Sequence, residues 1–513
     1  VISPAARYAE LRSERDPYLR RARDCAKLTI PALVPDEGST SSTKFYSPHQ
    51  SLGARGVNNL ASKLLLALIP QQSSFFRLQI DEKALEELTG EEGKRGEIEE
   101  ALARIERTAL SALEASSIRT VGFEGFKQLL VAGNVLLAFS DAAEPRAFRL
   151  DKYVVRRAPD GTVLELIIAE QQNPEALDPE VAALLPEPAV PQKGRTRATV
   201  TLYTYICWDQ YENHYKSCQY INDVAIPGTE GSYPKDKFPY LPLRFIRVDG
   251  EDYGRSYVEE YYGDLRSLEG LEKAILKGSA ASAKVLYFVN PGGVTRLKDV
   301  VQSESGDVRS GNAADVTVLQ TQKSTDLSVA KSQSETLQNR LAFAFLLNSA
   351  IQRGGERVTA EEVRYMAREL EDALGGIYSI LAQEFQRPLV TLLLEYLRKT
   401  KRIPNLPKGS VRPVIVTGLD ALGRGQDLAR LDEFLNGVPQ VIAQSLAEYL
   451  NVGDYLTRRA TALGLERKGL VRTQQEVDSE RQRQQDAMMQ QSVVDKAAGP
   501  VAQAAAAAAQ APQ

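Results

Sequence analysis

The sequence predicts an α+β chain that is predominantly helical. Residues 256–284, 326–348 and 359–397 repeat apolar side chains every three to four positions, the period of a long amphipathic helix. Residues 134–248 instead alternate in polarity or run β-branched, between turn-forming Pro, Asp and Gly. With 513 residues, 43% hydrophobic and 25% charged, the chain has the composition of a globular protein and exceeds the size at which one core stops growing.

Residues 4–28 read as a basic amphipathic helix, with seven Arg or Lys against four Asp or Glu between Arg7 and Lys27; Pro17 marks where it could break. A Pro/Ser/Thr-rich loop over 31–48 leads to a helix from Gly53 to Leu68 that Pro70 stops. The Glu- and Lys-rich stretch from about Glu82 reads as a surface helix, and 118–132 as a more buried one. Strands are expected at 135–139, 153–157 and 163–167, the last two joined as a hairpin by Pro159-Asp160-Gly161. An acidic, proline-rich surface segment at 174–191 precedes strand character at 200–205 and 211–224.

The stretch from Ser256 to Lys284 carries Tyr257, Leu265, Leu268, Leu271 and Ile275 at helical spacing; unbroken, about thirty residues would span roughly 45 Å. Asp326–Asn348 places Leu337, Leu341 and Phe345 at i, i+4 spacing, and a small Gly/Pro-punctuated β insert over 286–319 separates the two helices. A third helix opens on the capping box Thr359–Glu362, runs through Leu370 and Phe385, and should kink at Pro388, which removes the bond to the Glu384 carbonyl. The region to about Val471 reads as mostly helical, broken at Pro404, Pro407, Pro413 and Gly437. From Gln474 a Gln/Arg-rich and then Ala-rich tail is expected to be helical or disordered.

Net charge is 63 − 67 = −4, which argues against a whole-surface DNA binder; it suits a conduit that must not grip what slides past and a protein with no DNA role equally, and decides little alone. The longest apolar run, 64–69, is too short to span a bilayer, and Val1-Ile2-Ser3 opens no signal-peptide pattern, so cytoplasmic synthesis without membrane association is expected. Three cysteines, Cys25, Cys207 and Cys218, read as free thiols. With only His49 and His214 present, a histidine-based triad is disfavoured. Cys207, His214 and Cys218 lie near one another in sequence but lack the paired Cys-x-x-Cys of a strong zinc site. No phosphate-binding loop of the Gly-x-x-x-x-Gly-Lys-Ser/Thr type occurs, and the pairs Glu259-Glu260 and Glu361-Glu362 read as solvated or capping residues. No catalytic, cofactor-binding or metal-binding residue is therefore assigned, and the chain is not read as an enzyme.

The most informative loop runs from Asn348 to Val358. Gly354 and Gly355 give it freedom between two strong helices, and Arg353, Glu356 and Arg357 charge its tip. By itself this is a surface turn between helices, or, if it faces DNA, a place where arginines touch phosphates without reading bases.

Four segments carry a resemblance over about Tyr8 to Asp427. They are residues 53–64 (Gly-Ala-Arg-Gly-Val-Asn-Asn-Leu-Ala-Ser-Lys-Leu), 129–137 (Leu-Leu-Val-Ala-Gly-Asn-Val-Leu-Leu), 253–261 (Tyr-Gly-Arg-Ser-Tyr-Val-Glu-Glu-Tyr), and Leu346–Ala350 leading into Gly355–Glu362. In this order they resemble the portal, or head-to-tail connector, proteins of short-tailed bacteriophages of the podovirus type with a single-subunit RNA polymerase. The resemblance implies a portal fold assembling into a cyclic ring, usually of twelve subunits. Residues 1–252 and the long kinked helix 359–400 would be wing, 253–285 and 326–347 stem, 286–325 clip, 348–358 the tunnel loop, 401–473 crown and 474–513 tail. It further implies a virion protein at one capsid vertex. Its partners would be double-stranded DNA in the channel, the terminase large subunit, a tail adaptor, the major capsid and scaffolding proteins and internal core proteins. It also implies that the loop Arg353-Gly354-Gly355-Glu356-Arg357 lines the channel. A pore-less scaffold or adaptor and a metal-dependent nuclease are the competing classes.

Overall fold

The computed structural model describes residues 3–40, 42–70, 74–80, 95–140, 144–177, 181, 199–282, 286–319, 324–347, 370, 374–404, 411–415 and scattered positions between 453 and 488. Two compact units divide the chain. The larger comprises 1–76, 108–406 and 413–418, and the smaller 77–107, 407–412 and 419–513.

The larger unit opens with α1 (Pro4–Leu28). Ser3 accepts the Ala6 N–H as N-cap, and Pro4 occupies a first-turn position where no donor is needed. The expected weak point at Pro17 does not interrupt the helix. Packing on both sides accounts for this: Leu11 and Leu19 are buried, and the buried guanidinium of Arg15 donates to the carbonyls of Leu150, Asp151 and Tyr153. The missing proline donor costs one rung, which these contacts outweigh. α2 (Leu52–Leu68) buries a stripe of Val57, Leu60, Ala61, Leu64 and Leu68. β1 (Phe76–Ile80) lies almost wholly in the smaller unit, as does the first part of α3 (Arg95–Ala115). There the buried Glu106 carboxylate accepts the Leu78 N–H at 2.8 Å.

α4 (Ile118–Ala132) ends on Gly133, whose φ of +72° gives the left-handed turn that glycine adopts without cost. β2 (Asn134–Phe139) follows at once and forms the centre of a three-stranded antiparallel sheet. Its neighbours are β3 (Pro145–Phe148) and, from just over a hundred residues on, β10 (Tyr240–Arg244). β4 (Tyr153–Arg157) and β5 (Val163–Gln172) form the expected hairpin, with Gly161 at φ +90° in its turn. β6 (Val200–Asp209), β7 (His214–Ile221) and β8 (Val224–Ala225) extend this antiparallel sheet, and β9 (Gly231–Pro234) also pairs with β7. Leu11, Val154 and Ile167 fix α1 against the face of the sheet. β10 (Tyr240–Arg244) contains Pro242, which an edge strand tolerates because one side makes no ladder bonds.

The expected single helix over 256–284 is two: α5 (Tyr257–Glu260) and α6 (Tyr262–Ser282), with Tyr261 outside helical geometry at φ −105° and ψ 10°. The Tyr261 ring packs on Tyr257 and Phe345, and this packing sets the break. At 21 residues α6 is roughly 30 Å long. The β insert is a hairpin of β11 (Leu286–Val289) and β12 (Val316–Leu319), with α7 (Leu297–Val301) between them. α8 (Ser324–Ala344) returns antiparallel to α6: Glu272 accepts from Ser334 at 2.5 Å and Gln338 at 2.9 Å, and Arg340 pairs with Asp264 at 3.5 Å. Leu327 sits over Gly278, where a Cβ would lie 2.8 Å from the Leu327 Cδ2.

α9 (Gly376–Leu381) runs through a π-helical turn at Ala382–Gln386 into α10 (Arg387–Lys399). The Arg387 N–H bonds the Ala382 carbonyl, five residues back. The expected irregularity at Pro388 therefore takes the form of a π-bulge one turn earlier, with the wider turn ending just before the residue that has no N–H. β13 (Val411–Ile415) is extended, so Pro413 lies in a strand within a stretch expected to be mostly helical. The capping box Thr359–Glu362 and most of 401–513 lie outside the described residues.

Candidate functional site

Arg353, Gly354, Gly355, Glu356 and Arg357 lie outside the described residues, and so does the pair Glu361-Glu362. The structure does describe the chain up to the root of that loop, and it is held closely. α8 ends at Ala344, and Leu346 takes a left-handed φ of +52°. Two side chains of α2 fasten this turn. The Asn59 amide donates to the carbonyls of Phe345 and Leu346, both at 3.0 Å, and the buried Lys63 ammonium donates to the Leu346 carbonyl at 3.0 Å. Tyr257 of α5 donates its hydroxyl to the Ala344 carbonyl at 2.7 Å. These bonds satisfy carbonyls that a helix C-terminus otherwise leaves orphaned.

Phe345 itself is fully buried beside the Tyr257 and Tyr261 rings, at 5.8 and 5.9 Å between centroids. Its ring lies against Gly56, where an added Cβ would come within 2.5 Å of the ring carbon. Burial, followed by the hydrogen bond and charge of Tyr261, pushes the Tyr257 phenol far up, so it stays a neutral donor. Residues 53–64 thus meet the start of Leu346–Ala350.

The other two segments singled out in the sequence also meet. Asn134 donates to the Gly254 carbonyl at 2.8 Å and accepts the Gly254 N–H at 2.7 Å. Gly133 lies against the backbone of Arg255 and Ser256, 2.5–2.8 Å from where a Cβ would sit. Ser256 then caps α5 by accepting the Glu259 N–H. Glu259 pairs with Arg255 and Arg21, whereas burial and then Glu259 raise the Glu260 carboxyl. The four segments therefore form two junctions, one at each end of α5.

On α6, the Glu269 carboxylate is buried and receives the Tyr46 hydroxyl, the His49 ring and the His49 and Gln50 amides. Burial alone would raise its pKa, but these hydrogen bonds outweigh it and hold the carboxyl below its usual 4.5. His214 has its ring on the Glu212 carbonyl, and Cys207 and Cys218 lie on adjacent strands facing Lys216 and Tyr205. Among the described residues no three His, Cys, Asp or Glu side chains converge as metal ligands, and no helix is long and apolar enough to cross a membrane.

Sequence reasoning missed Asn59, Lys63, Tyr257 and Glu269. The available signal was polar residues inside otherwise apolar helical stripes, above all Lys63 within Leu60–Leu68.

Residues 3–471 match the family described as bacteriophage head to tail connecting protein. The chain belongs to that family. It is 42% identical over 510 residues to the portal protein of Escherichia phage T7, covering 98% of this chain and 93% of that protein. Identity to the portal protein of Enterobacteria phage T3 is 43% over 478 residues, covering 92% and 88%. The portal protein of Enterobacteria phage SP6 is 32% identical over 497 residues, covering 96% and 94%. A solved structure of the neck of an empty gene transfer agent particle aligns over 75% of this chain and 86% of that chain, at 13% identity and a TM-score of 0.37.

Proposed function

We propose that the chain is the portal of a short-tailed phage: a ring-shaped channel at one capsid vertex through which double-stranded DNA is packaged by a docked terminase motor and later ejected, and to which tail proteins attach. The observation that carries this is near-full-length identity to portal proteins, 42% over 98% of the chain. The paired antiparallel helices α6 and α8 support it, because they leave Leu276, Val329 and Phe343 exposed for neighbouring subunits to cover. A closed cyclic arrangement turns such a heterologous contact into a ring instead of a filament.

In this reading 1–252 and 359–400 are wing, 253–285 and 326–347 stem, 286–325 clip, 401–473 crown and 474–513 tail. The loop 348–358 faces the bore and brings Arg353 and Arg357 to the DNA phosphates. The stem wall need not be basic: from Ser256 to Lys284 four Lys or Arg stand against five Asp or Glu. The ring has twelve subunits and engages the terminase large subunit, a tail adaptor, capsid and scaffolding proteins and internal core proteins. It is a virion structural component without a catalytic role of its own.

Negative-stain imaging and mass measurement of purified protein should show rings with a central hole; monomers under every assembly condition would refute the proposal. Replacing Arg353 and Arg357 with Ala should lower packaged DNA while rings still form, and unchanged virion yield would separate the loop from the DNA.

A further inference from the structure

Three arginines converge where the β4–β5 turn meets the loop after β10, and the channel reading uses none of them. A cavity of about 100 Å³ opens there, lined by Arg157, Gly161, Arg244, Arg247, Gly250 and Asp252 among others. The guanidiniums of Arg244 and Arg247 both reach Gly161: a Cβ at that residue would lie 3.2 Å and 3.3 Å from their Nη2 atoms. Gly161 and Gly250, both with positive φ, open the space by carrying no side chain.

These cations are incompletely paired. Arg157 spends its donors on the carbonyls of Asp252, Gly161 and Pro242, and Arg247 donates to the Asp160 carbonyl; among the described residues neither makes an ion pair. Arg244 is 3% exposed, gives Nη2 to Glu384 at 3.1 Å, and leaves its buried Nε without a partner. Burial, and then the adjacent Arg244, push Arg157 down to about 10, the mark of positive charge crowded into little solvent.

Of the nearby carboxylates, Asp160 and Glu251 are engaged away from the three guanidiniums, whereas Asp252 and Glu384 touch Arg157 and Arg244. Asp160 accepts from Thr162, Glu251 holds Arg255 in a two-oxygen pair, and Asp252 accepts the Arg157 N–H. Glu384 faces Arg244 with one oxygen while its other is buried and unpartnered.

The geometry points to a binding site for one small tetrahedral oxyanion, of the phosphate or sulfate class, in this cavity between the β4–β5 turn and the 247–252 loop. The size decides the class. At about 30 Å³ per water the space holds roughly three waters, enough for one such ion and well short of the about 300 Å³ a nucleotide-sized ligand needs. Planar guanidinium forks suit oxyanion edges and repel metal cations. The bound ion would lie beside the Arg247 and Arg244 guanidiniums at Gly161 and staple the hairpin turn to the chain leading into α5.

Equilibrium dialysis of the full-length protein against labelled inorganic phosphate at fixed ionic strength tests this. One phosphate should bind per subunit, sulfate should displace it and chloride should not, and it should slow hydrogen exchange at residues 158–162. Arg247→Gln, at an exposed side chain, should weaken binding about tenfold, the worth of one charge-assisted hydrogen bond. Arg296→Gln, an exposed arginine of the β insert, should bind as the parent does. Absence of binding, displacement by chloride, or an Arg247→Gln protein that binds as tightly as the parent would overturn the site. Displacement by a short DNA duplex at equal phosphate concentration would overturn a free ion as its occupant.

Discussion

Placing one methyl group on α2 should loosen the root of the 348–358 loop. In Gly56→Ala the new Cβ would lie 2.5 Å from the Phe345 ring carbon and 2.9 Å from the Phe345 Cβ, both closer than real Cβ contacts. Phe345 has little room to yield, because Tyr257 and Tyr261 flank its ring and Asn59 holds its carbonyl. Overpacking of this kind costs about 1–3 kcal/mol, and the rigid surroundings favour the upper end. Alanine regains about 1 kcal/mol of helix propensity, leaving a net loss of about 2 kcal/mol. The assay is native-state hydrogen exchange on peptides covering α2 and residues 341–347, where protection should fall roughly thirtyfold. Phe345→Ala alone should cost about 3–5 kcal/mol through the cavity it leaves. In that background Gly56→Ala should become nearly neutral, a coupling of about 2 kcal/mol. Additivity of the two substitutions within about 0.5 kcal/mol would refute the direct contact.

Gly133→Ala should abolish soluble protein, since the residue needs φ +72° and its Cβ would strike the Arg255–Ser256 backbone; a soluble variant with unchanged thermal midpoint would contradict the junction. The Glu269 carboxyl is held below its unfolded value of 4.5, so its stabilisation is fully present above about that pH and is lost as pH falls through the lower folded value; Glu269→Gln should flatten this part of a melting-temperature profile recorded from pH 6 to 3. Burial pushes the Cys25 thiol up to about 12, so brief iodoacetamide treatment at pH 8 should label Cys207 and Cys218 before Cys25 in peptide mass spectra, with Cys25 reacting only in denaturant.

Much of the architecture was legible because it is local. The helix at 118–132, the strand at 153–157 and the hairpin turn at Pro159-Asp160-Gly161 follow from periodicity and turn chemistry within a few residues. The strands at 145–148 and 240–244 were not, since each contains a proline and gains its ladder only by pairing with β2, more than a hundred residues away in the case of β10. The break at Tyr261 was hidden for a related reason: its helical spacing is good, and only the Phe345 ring, 84 positions later, makes the departure favourable. The irregularity at Pro388 could be anticipated, but its form could not, because a π-bulge and a kink both accommodate a helical residue without an N–H. Of the site, the arginines of the loop were visible as charge beside glycines. The side chains that fasten its root were not, because an asparagine and a lysine inside an apolar stripe declare a buried partner without naming it.

That fastening bears on how a channel loop would act. The carbonyls of Phe345 and Leu346 are bound to α2 and that of Ala344 to α5, so the end of α8 is tied to two other helices by side-chain bonds. α2 in turn packs on α4, with Leu65 and Ile69 against Gly122 at 3.5 and 3.7 Å from where its Cβ would be. A load applied at residue 348 is thereby shared among α2, α4 and α5 rather than carried along α8 alone. Cutting the Asn59 and Lys63 bonds together would leave α8 intact and remove the hydrogen-bonded route through α2, with only the Tyr257 bond to α5 remaining. A substitution that weakens loop function without touching the loop's own arginines is therefore to be sought first on the face of α2 that carries Gly56, Asn59 and Lys63.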